Sequence, residues 1–420
     1  MFNSLESWLQ FLEKLHFKNI DLSLERIQRV AHQLGIRLPG FVITVGGTNG
    51  KGSCVALLES ILLNAGYTVG AYFSPHLISF CERARINGRE VSTEIFCEAF
   101  SIINQARKDI TLTYFEFTTL AVLYLFQQAA LEFLLLEVGM GGRYDAVNIL
   151  DPDIALITSI SLDHTNYLGS NCNSIAREKA GIFRRNQKVV YGDPVIWPSL
   201  LEEVKSLECQ LYSQNRDFFY MQHEKHWDFV GGKERKNLPY PSIALQNAAS
   251  VLQAISLLLP SYSIPNKAVI QGLKKINLKG RFQRIQHKSV HFTLDVAHNP
   301  ASAILLAENF KKIKNSKRRY ALVGMLIDKD HQATLAPLVP FIDAWWVTAL
   351  PGERGASAEH LGQCLKKITK TPILLFSQLK QAYDNLICHL EPTDDVLVFG
   401  SFLTVGGVLK ILEEDLEGLL

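Results

Sequence analysis

The sequence predicts an α/β fold in which short buried strands alternate with helices and form a mainly parallel sheet. Apolar runs of strand length, FVITV at 41–45 and FLLLEV at 133–138, recur between longer segments with helical patterning. A glycine-rich turn follows the first run and leads into VALLESILLNAG at 55–66, which is typical of a helix ending at a glycine cap. A length of 420 residues favours two or three domains.

The next elements repeat this alternation. YTVGAYF at 67–73 and IALITSI at 154–160 are candidate buried strands, and FTTLAVLYLFQQAA predicts a helix before the 133–138 strand. Residues 189–240 differ, because short strand-like pieces are separated by polar turns, and we predict a small β-rich excursion there. A helix is predicted over 245–259.

A short basic segment, INLKGRFQRIQ at 276–286, is the predicted linker between two domains. We place the first domain at 1–280 and a smaller, Rossmann-like α/β domain at 287–420. The elements predicted in the second domain are HFTLDV, a helix near 301–313, YALVGML, a helix near 331–338, AWWVTAL, PILLF and DVLVFG.

Composition excludes several classes of partner. The formal net charge is +2 without a long basic tract, so we expect no nucleic acid. The richest apolar stretch, 117–136, contains Gln127, Gln128 and Glu132, and the N-terminus lacks signal-peptide features, so we expect no membrane span. Seven cysteines without metal-binding spacing fit reduced thiols in the cytoplasm, and Cys54 is interpreted as a packing residue.

The glycine-rich turn predicts a phosphate site. Its sequence, from Gly47 through Thr48, Asn49, Gly50, Lys51 and Gly52 to Ser53, stands between a strand and a helix. Successive backbone N–H groups and the helix N-terminus can face phosphate oxygens, Lys51 can reach the terminal phosphates, and Ser53 can face a magnesium ion. A glycine follows the lysine before the hydroxyl residue, so the spacing differs from the common P-loop.

Polar residues at other strand ends are candidates for metal ligands, because ligands bind at the carboxyl ends of strands in open α/β sheets. Glu137 ends a buried strand before a glycine-rich loop, and suits a magnesium ligand. Taken alone, His164 is more typical of a structural histidine, Ser74 of a turn residue, and Lys179 of a solvated helix residue.

These pieces, in this order, resemble the bacterial bifunctional folylpolyglutamate synthase/dihydrofolate synthase family of the muramyl-ligase-like superfamily. The resemblance runs nearly from end to end. The motifs that carry it are IDLSLERI, VGGTNGKGS, FSPHL, ERARING, TYFEFTTL, LLLEVGMGGRYDAVN, SISLDHTNYLG, IAREKAGIFR, LQNAASV, KGRFQ, LDVAHNP and VFGSFLTVGG.

The resemblance implies a role for each matched position. Asn49 to Ser53, with Thr48, would hold the ATP phosphates, and Lys51, Lys179, His164 and Arg281 would be catalytic. The implied magnesium ligands are Ser74 and Glu137 for one ion and His164 and Lys179 for a second. The implied nucleotide contacts are Asn247, Arg281, Asp295 and His298, and the implied pterin-site residues are Asp21, Thr113, Tyr114, Phe115, Glu116, Tyr144, Asp145 and Ala146.

The resemblance also implies a reaction. ATP would phosphorylate a carboxylate to an acyl phosphate, which the amine of L-glutamate attacks, with dihydropteroate and tetrahydrofolate derivatives as acceptors. Lys179 would carry a carbamate, which requires a lowered pKa because an unperturbed lysine is neutral in roughly one molecule per thousand at pH 7.4. The resemblance leaves room for a monovalent cation, implies a monomer, and implies that both domains close over ATP.

Two positions depart from the family pattern, and two other functions compete. Asn166 stands where an acidic residue is expected, and Ala301 where histidine is frequent. A muramyl peptide ligase carries a nucleotide-sugar-binding domain before its phosphate loop, whereas the loop here begins at Gly47. A nucleotide-binding switch ATPase or GTPase is disfavoured by the loop spacing, by the lack of a following apolar strand that ends in aspartate, and by the second α/β domain.

Overall fold

The computed structural model describes residues 4–18, 20–259, 261–287, 289–313 and 316–417. The chain divides into two compact units. The first comprises Met1–His76 and Phe80–Asn277, and the second comprises Leu77–Ser79 and Leu278–Leu420.

The first unit is built on an eight-stranded sheet. Its strands are β1 (Phe41–Gly46), β2 (Val69–Tyr72), β3 (Ala84–Ile86), β4 (Arg89–Glu90), β5 (Phe133–Glu137), β6 (Ile154–Ile157), β7 (Lys188–Tyr191) and β8 (Gln210–Ser213). The order is β4-β3-β2-β5-β1-β6-β7-β8. Among the described strands of this sheet, only the pairs made by β3 are antiparallel, so the predicted mainly parallel sheet is confirmed.

Helices pack against this sheet because the central strands are buried on both faces. The helices are α1 (Leu5–Leu15), α2 (Glu25–Gln33), α3 (Lys51–Asn64), α4 (Thr93–Arg107), α5 (Tyr114–Ala129), α6 (Thr165–Leu168), α7 (Cys172–Ala180), α8 (Pro198–Ser206), α9 (Leu245–Leu257) and α10 (Asn266–Lys275). The helix α3 is buried on most sides, because α9 and α10 cover the faces that the sheet leaves open.

The predicted β-rich excursion over 189–240 is partly wrong. Its first two pieces are β7 and β8, which extend the main parallel sheet and are joined by α8. Only the remainder forms a separate antiparallel sheet, of β9 (Phe219–Gln222), β10 (Trp227–Val230) and β11 (Arg235–Leu238). Short apolar strands look alike in both settings, so the pattern alone could not separate them.

The second unit is a smaller α/β domain with helices on both faces of its sheet. Its strands are β12 (Gln283–His287), β13 (Val290–Leu294), β14 (Arg319–Val323), β15 (Ala344–Thr348), β16 (Ile373–Phe376) and β17 (Asp395–Phe399), in the order β12-β13-β17-β14-β15-β16. Its helices are α11 (Pro300–Lys311), α12 (His331–Leu335), α13 (Ala358–Lys366), α14 (Leu379–His389) and α15 (Phe402–Glu417). The helices α11, α12 and α13 contribute to one hydrophobic core of this unit, and α14 and α15 contribute to another.

Part of the predicted linker is a strand. Residues 283–287 form β12, which pairs antiparallel with β13 at the edge of the second sheet. The polar sequence QRIQH hid this strand, because an edge strand with one solvated face needs few apolar residues. Among the residues described, no helix is both long and apolar enough to cross a membrane.

Candidate active site

The glycine-rich turn joins β1 to α3 in the first unit. The helix begins at Lys51, four residues before the predicted start at Val55, because its first turn lacks the apolar residues that marked the rest. The Lys51 ammonium folds back and donates to the carbonyls of Gly47, at 3.0 Å, and Thr48, at 3.2 Å. The lysine therefore lies over the loop whose backbone was predicted to hold phosphates.

The residues after β6 hold the loop in place. The Thr158 hydroxyl donates to the Asn49 carbonyl at 2.6 Å, and the Asn49 amide donates to Ser159 Oγ at 3.1 Å. Gly47 has a φ of 141° and Gly50 a φ of 86°. A Cβ at Gly47 would meet Thr158 Oγ1 at 1.9 Å, so glycine is required by both conformation and space.

Ser74 and Glu137 meet at the ends of the neighbouring strands β2 and β5. The Ser74 amide donates to Glu137 Oε2 at 3.0 Å. Glu137 is buried, and a Cβ at Gly52 would lie 3.2 Å from the same oxygen, so the carboxylate adjoins the first turn of α3. Within the described chain, the buried Ser74 Oγ has no hydrogen-bond partner. These oxygens fit a hard cation such as magnesium.

Lys179, near the end of α7, is buried rather than solvated, with 3% of its surface exposed. Burial, followed by the positive charge of Lys51, lowers the pKa of its amine to about 7, while Asp163 and Asp145 act in the opposite direction. The carbonyls of Glu178 and Lys179 approach Gly142 so closely that a Cβ there would lie 2.8 Å from both. The glycine-rich loop after β5 therefore borders this lysine.

His164 lies just past β6, at the start of α6, with a φ of 51°. Its amide donates to Asp163 Oδ1 at 2.9 Å, and its Nε2 lies 4.0 Å from Asp163 Oδ2. Asp163 also interacts electrostatically with Lys179. A histidine, a carboxylate and a buried lysine thus lie at the same edge of the sheet as the loop.

Asp145 is a buried carboxylate within a predicted pterin segment. Its Oδ2 accepts from the Met140 amide at 2.8 Å and its Oδ1 from the Val147 amide at 3.1 Å. Burial raises the pKa of this carboxyl to about 6, although its backbone partners and Lys51 lower it. The group therefore holds the loop after β5 and contributes to the charge around Lys51.

The other pterin candidates form a charged network. Asp21 accepts from Arg26 at 2.8 Å and contacts His16 Nε2 at 3.1 Å, and these contacts lower the pKa of its carboxyl. Arg26 lies 3.2 Å from Glu116 Oε1. Glu116 and Thr113 also form the capping box that starts α5, so both residues have a structural role that the motif did not reveal.

The aromatic candidates differ in exposure. Phe115 stacks on Tyr72 at 6.0 Å between ring centroids, and a Cβ at Gly139 would lie 2.7 Å from its ring. The Arg83 guanidinium lies over the Tyr114 ring, with its Cζ 5.5 Å from the ring centroid. Ala146 is buried, whereas 47% of Tyr144 is exposed, so Tyr144 makes the smallest contribution to packing.

The four nucleotide candidates lie in both units. In the first, Asn247 lies on α9 beside the phosphate loop, where a Cβ at Gly50 would meet its amide nitrogen at 2.5 Å. In the second, Asp295 accepts a hydrogen bond from the Phe282 amide at 2.8 Å. Burial raises the pKa of the Asp295 carboxyl, and the positive charge of Arg281 acts in the opposite direction. Arg281 and His298 both pack near the Phe402 ring.

Sequence reasoning did not select several residues that these contacts bring in. They are His16, Arg26, Arg83, Thr158, Ser159 and Asp163. Asp163 could have been found, since it precedes His164 at the same strand end, whereas Arg26 required the fold to place it beside Glu116. The two departures from the family pattern, Asn166 and Ala301, are both exposed.

Two known protein families match parts of the chain. Residues 45–228 match the Mur ligase middle domain, and residues 280–402 match the Mur ligase, glutamate ligase domain. The chain is 42% identical over 416 residues to the dihydrofolate synthase/folylpolyglutamate synthase of Escherichia coli (strain K12), covering 99% of this chain and 97% of that protein.

Two solved structures are similar over almost the whole chain. Escherichia coli FolC in complex with DHPP and ADP has a TM-score of 0.93 and 41% identity, with 98% of each chain covered. A bifunctional folylpolyglutamate synthase/dihydrofolate synthase with Mn, AMPPNP and L-glutamate bound has a TM-score of 0.90 and 40% identity, with 98% of each chain covered. The resemblance predicted from the motifs is confirmed, and the chain belongs to the dihydrofolate synthase/folylpolyglutamate synthase family of Mur ligases.

Proposed function

We propose that this chain is a bifunctional ATP-dependent ligase. It joins L-glutamate to dihydropteroate, forming dihydrofolate, and to the γ-carboxyl group of reduced folates, releasing ADP and phosphate. The observation that carries the proposal is the edge of the first sheet, where the Lys51 loop adjoins the buried Glu137 carboxylate. The Ser74 hydroxyl at this edge has no hydrogen-bond partner among the described residues. Solved relatives hold ADP with DHPP, and AMPPNP with Mn and L-glutamate, which supports the same substrates here.

The phosphate loop would stabilise the transferring phosphoryl group. A carboxylate is a poor electrophile, so its conversion to an acyl phosphate prepares it for attack by the amine of glutamate. Backbone N–H groups at the start of α3 would face the phosphates, and Lys51 would supply a positive charge. Positioning and electrostatic stabilisation supply most of the rate enhancement in such transfers. Lys51 must exchange its carbonyl partners for phosphate oxygens when ATP binds.

Two magnesium ions, when bound, would neutralise charge on the phosphates. Ser74 and Glu137 supply oxygen ligands for one ion. His164 and Lys179 are the proposed ligands for the other, which requires a change at Lys179 because an ammonium group has no lone pair. A carbamate converts this cation into an anionic oxygen ligand. Burial of the Lys179 amine, together with the positive charge of Lys51, favours the neutral form that reacts with carbon dioxide, although Asp163 and Asp145 act in the opposite direction.

The finer assignments of substrates remain part of this proposal. We assign Asn247, Arg281, Asp295 and His298 to the nucleotide, and the Asp21, Thr113–Glu116 and Tyr144–Ala146 segments to the pterin. We further propose that tetrahydrofolate derivatives are the natural acceptors and that a monovalent cation is a further ligand. We also propose that the enzyme is a monomer, with domains at 1–280 and 287–420. All seven cysteines are free, which fits a reducing compartment such as the cytoplasm.

The direct test measures ADP release by the purified chain in four reactions. Dihydropteroate and tetrahydrofolate are each supplied with ATP and magnesium, with and without L-glutamate. We expect release with either acceptor only when glutamate is present. Activity with tetrahydrofolate but not with dihydropteroate reduces the function to polyglutamylation, and release that needs neither acceptor nor glutamate favours a simple ATPase. Sedimentation in the same buffer tests the monomer.

A further inference from the structure

Three potential metal ligands converge in the second unit, and none of them is among the residues assigned above. His331 starts α12, and His360 and Cys364 lie one turn apart on α13. We call them the His–Cys cluster. His331 Nδ1 lies 3.0 Å from His360 Nε2, which lies 4.0 Å from Cys364 Sγ. All three donor atoms lie within 4.8 Å of one another.

The backbone orients His331 for ligation. Its Nε2 lies 2.8 Å from the Leu326 carbonyl, which can only accept a hydrogen bond, so this nitrogen carries the proton. His331 Nδ1 therefore presents its lone pair toward His360 and Cys364. A histidine that donates its other N–H to a backbone carbonyl is the usual arrangement around protein-bound metals. His331 is also buried, with 5% of its surface exposed, so its ring is held by packing.

The spacing of the donor atoms suits a small tetrahedral ion. Bonds of about 2.0 Å to nitrogen and 2.3 Å to sulfur place tetrahedral ligand atoms roughly 3.3–3.5 Å apart. The separations of 3.0 Å and 4.0 Å bracket that range, and rotation of the Cys364 side chain would adjust the longer one. His360 is exposed and Cys364 is partly exposed, so an ion could enter from solvent and keep water as its fourth ligand.

We propose that the His–Cys cluster is a binding site for a Zn²⁺-class ion, separate from the magnesium sites of the ligase reaction. Imidazole and thiolate select zinc over magnesium, which prefers oxygen ligands. On binding, the Cys364 thiol loses its proton to solvent, and the proton of His360 occupies Nδ1 so that Nε2 can ligate. The ion would connect α12, and through His331 the segment at Leu326, to α13.

Cobalt(II) is the probe for this site, because a bound thiolate gives it a charge-transfer band and tetrahedral ligation intensifies its visible absorption. The full-length chain is stripped of metal and titrated with Co²⁺ in buffer without magnesium or ATP. We expect one equivalent to produce both signals, and Zn²⁺ to abolish them. Cys364→Ser should lose the charge-transfer band, and His360→Gln should weaken binding by more than about tenfold.

Matched controls separate this cluster from other donors. Cys388→Ser removes an exposed thiol elsewhere in the second unit, and His223→Gln alters a second group of potential ligands, His223, His226 and Asp228. Both variants should keep the charge-transfer band. Absence of the band in the parent chain, its survival in Cys364→Ser, or its equal loss in Cys388→Ser would overturn the proposal. Because His360 is exposed, His360→Gln tests ligation without disturbing the core.

Discussion

The phosphate edge and the acid–base network of the first unit use polar residues in different ways. The phosphate edge comprises the Lys51 loop, Ser74 and Glu137, and within the described chain its buried Ser74 hydroxyl has no hydrogen-bond partner. The acid–base network comprises Asp21, Arg26, Thr113 and Glu116, whose side chains are joined by ion pairs and a capping box.

This difference separates residues that await a ligand from residues that also hold the fold. A buried hydroxyl without a partner costs about 1–3 kcal/mol, which a bound cation can recover by accepting its oxygen as a ligand. Paired charges such as Arg26 and Glu116 already stabilise the folded protein without a ligand. Substitutions at the phosphate edge should therefore reduce turnover more than stability, and substitutions in the network should do the reverse.

Lys51→Ala should have the largest effect on turnover. Removal of the cation from the transferring phosphoryl group should lower kcat by about 100-fold or more, with the circular dichroism spectrum unchanged. Lys205→Ala, at an exposed lysine on α8, is the control and should keep parental kcat. A Lys51→Ala enzyme that retains more than about a tenth of parental kcat would contradict the phosphate-loop assignment.

Lys179→Ala should lose most activity, and a short carboxylic acid at high concentration should restore part of it by filling the place of the carbamate. Lys179→Arg should not be rescued, because arginine keeps its charge and cannot take up carbon dioxide. With a pKa lowered to about 7, the amine is protonated below that pH, so bicarbonate-dependent activity of the parent should fall as pH drops through 7.

The modification itself can be observed directly. Electron density at the tip of Lys179 should show a carbamate in a crystal that contains ADP and magnesium. A bare ammonium group in such a crystal, with the metal sites ordered, is the result that rejects the carbamate.

Glu137→Gln and Glu116→Gln form a matched pair that tests the comparison itself. Glu137→Gln should lower kcat at least tenfold, while the free energy of unfolding changes by less than about 1 kcal/mol, because loss of a buried charge offsets a weaker bond to Ser74. Glu116→Gln should lower the free energy of unfolding by about 1–2 kcal/mol through the partly exposed Arg26 pair. Urea unfolding measures the free energy of unfolding, and ADP release measures kcat. Equal effects of the two variants on both quantities would contradict the distinction between the phosphate edge and the acid–base network.

Tyr144→Ala should have the smallest effect. Because almost half of this side chain is exposed, the free energy of unfolding should change by less than about 0.5 kcal/mol. If Tyr144 contacts the pterin, KM for dihydropteroate should rise severalfold while KM for ATP stays constant. An unchanged KM for dihydropteroate removes Tyr144 from the proposed pterin site.

Local patterns predicted much of the architecture. Buried strands such as β1, β5 and β17 were identified because apolar runs bounded by turns leave few alternatives. The strand β12 was missed because its sequence is polar, although its partner β13 follows it directly. The membership of β7 and β8 in the main sheet was missed because their pairing partners are not adjacent in sequence. The phosphate loop was identified from its glycines and lysine, since backbone conformation and charge are local properties.

The sequence by itself determined the fold class, the phosphate loop and the family, because these depend on short motifs in a fixed order. Only the tertiary structure decided how those motifs meet. It buried Lys179 beside the charges of Lys51 and Asp163 and paired Arg26 with Glu116. It also left Ser74 Oγ, next to Glu137, without a partner among the described residues. Burial and long-range proximity set the pKa values and the unsatisfied hydrogen bonds of a site, and neither can be obtained from spacing along the chain.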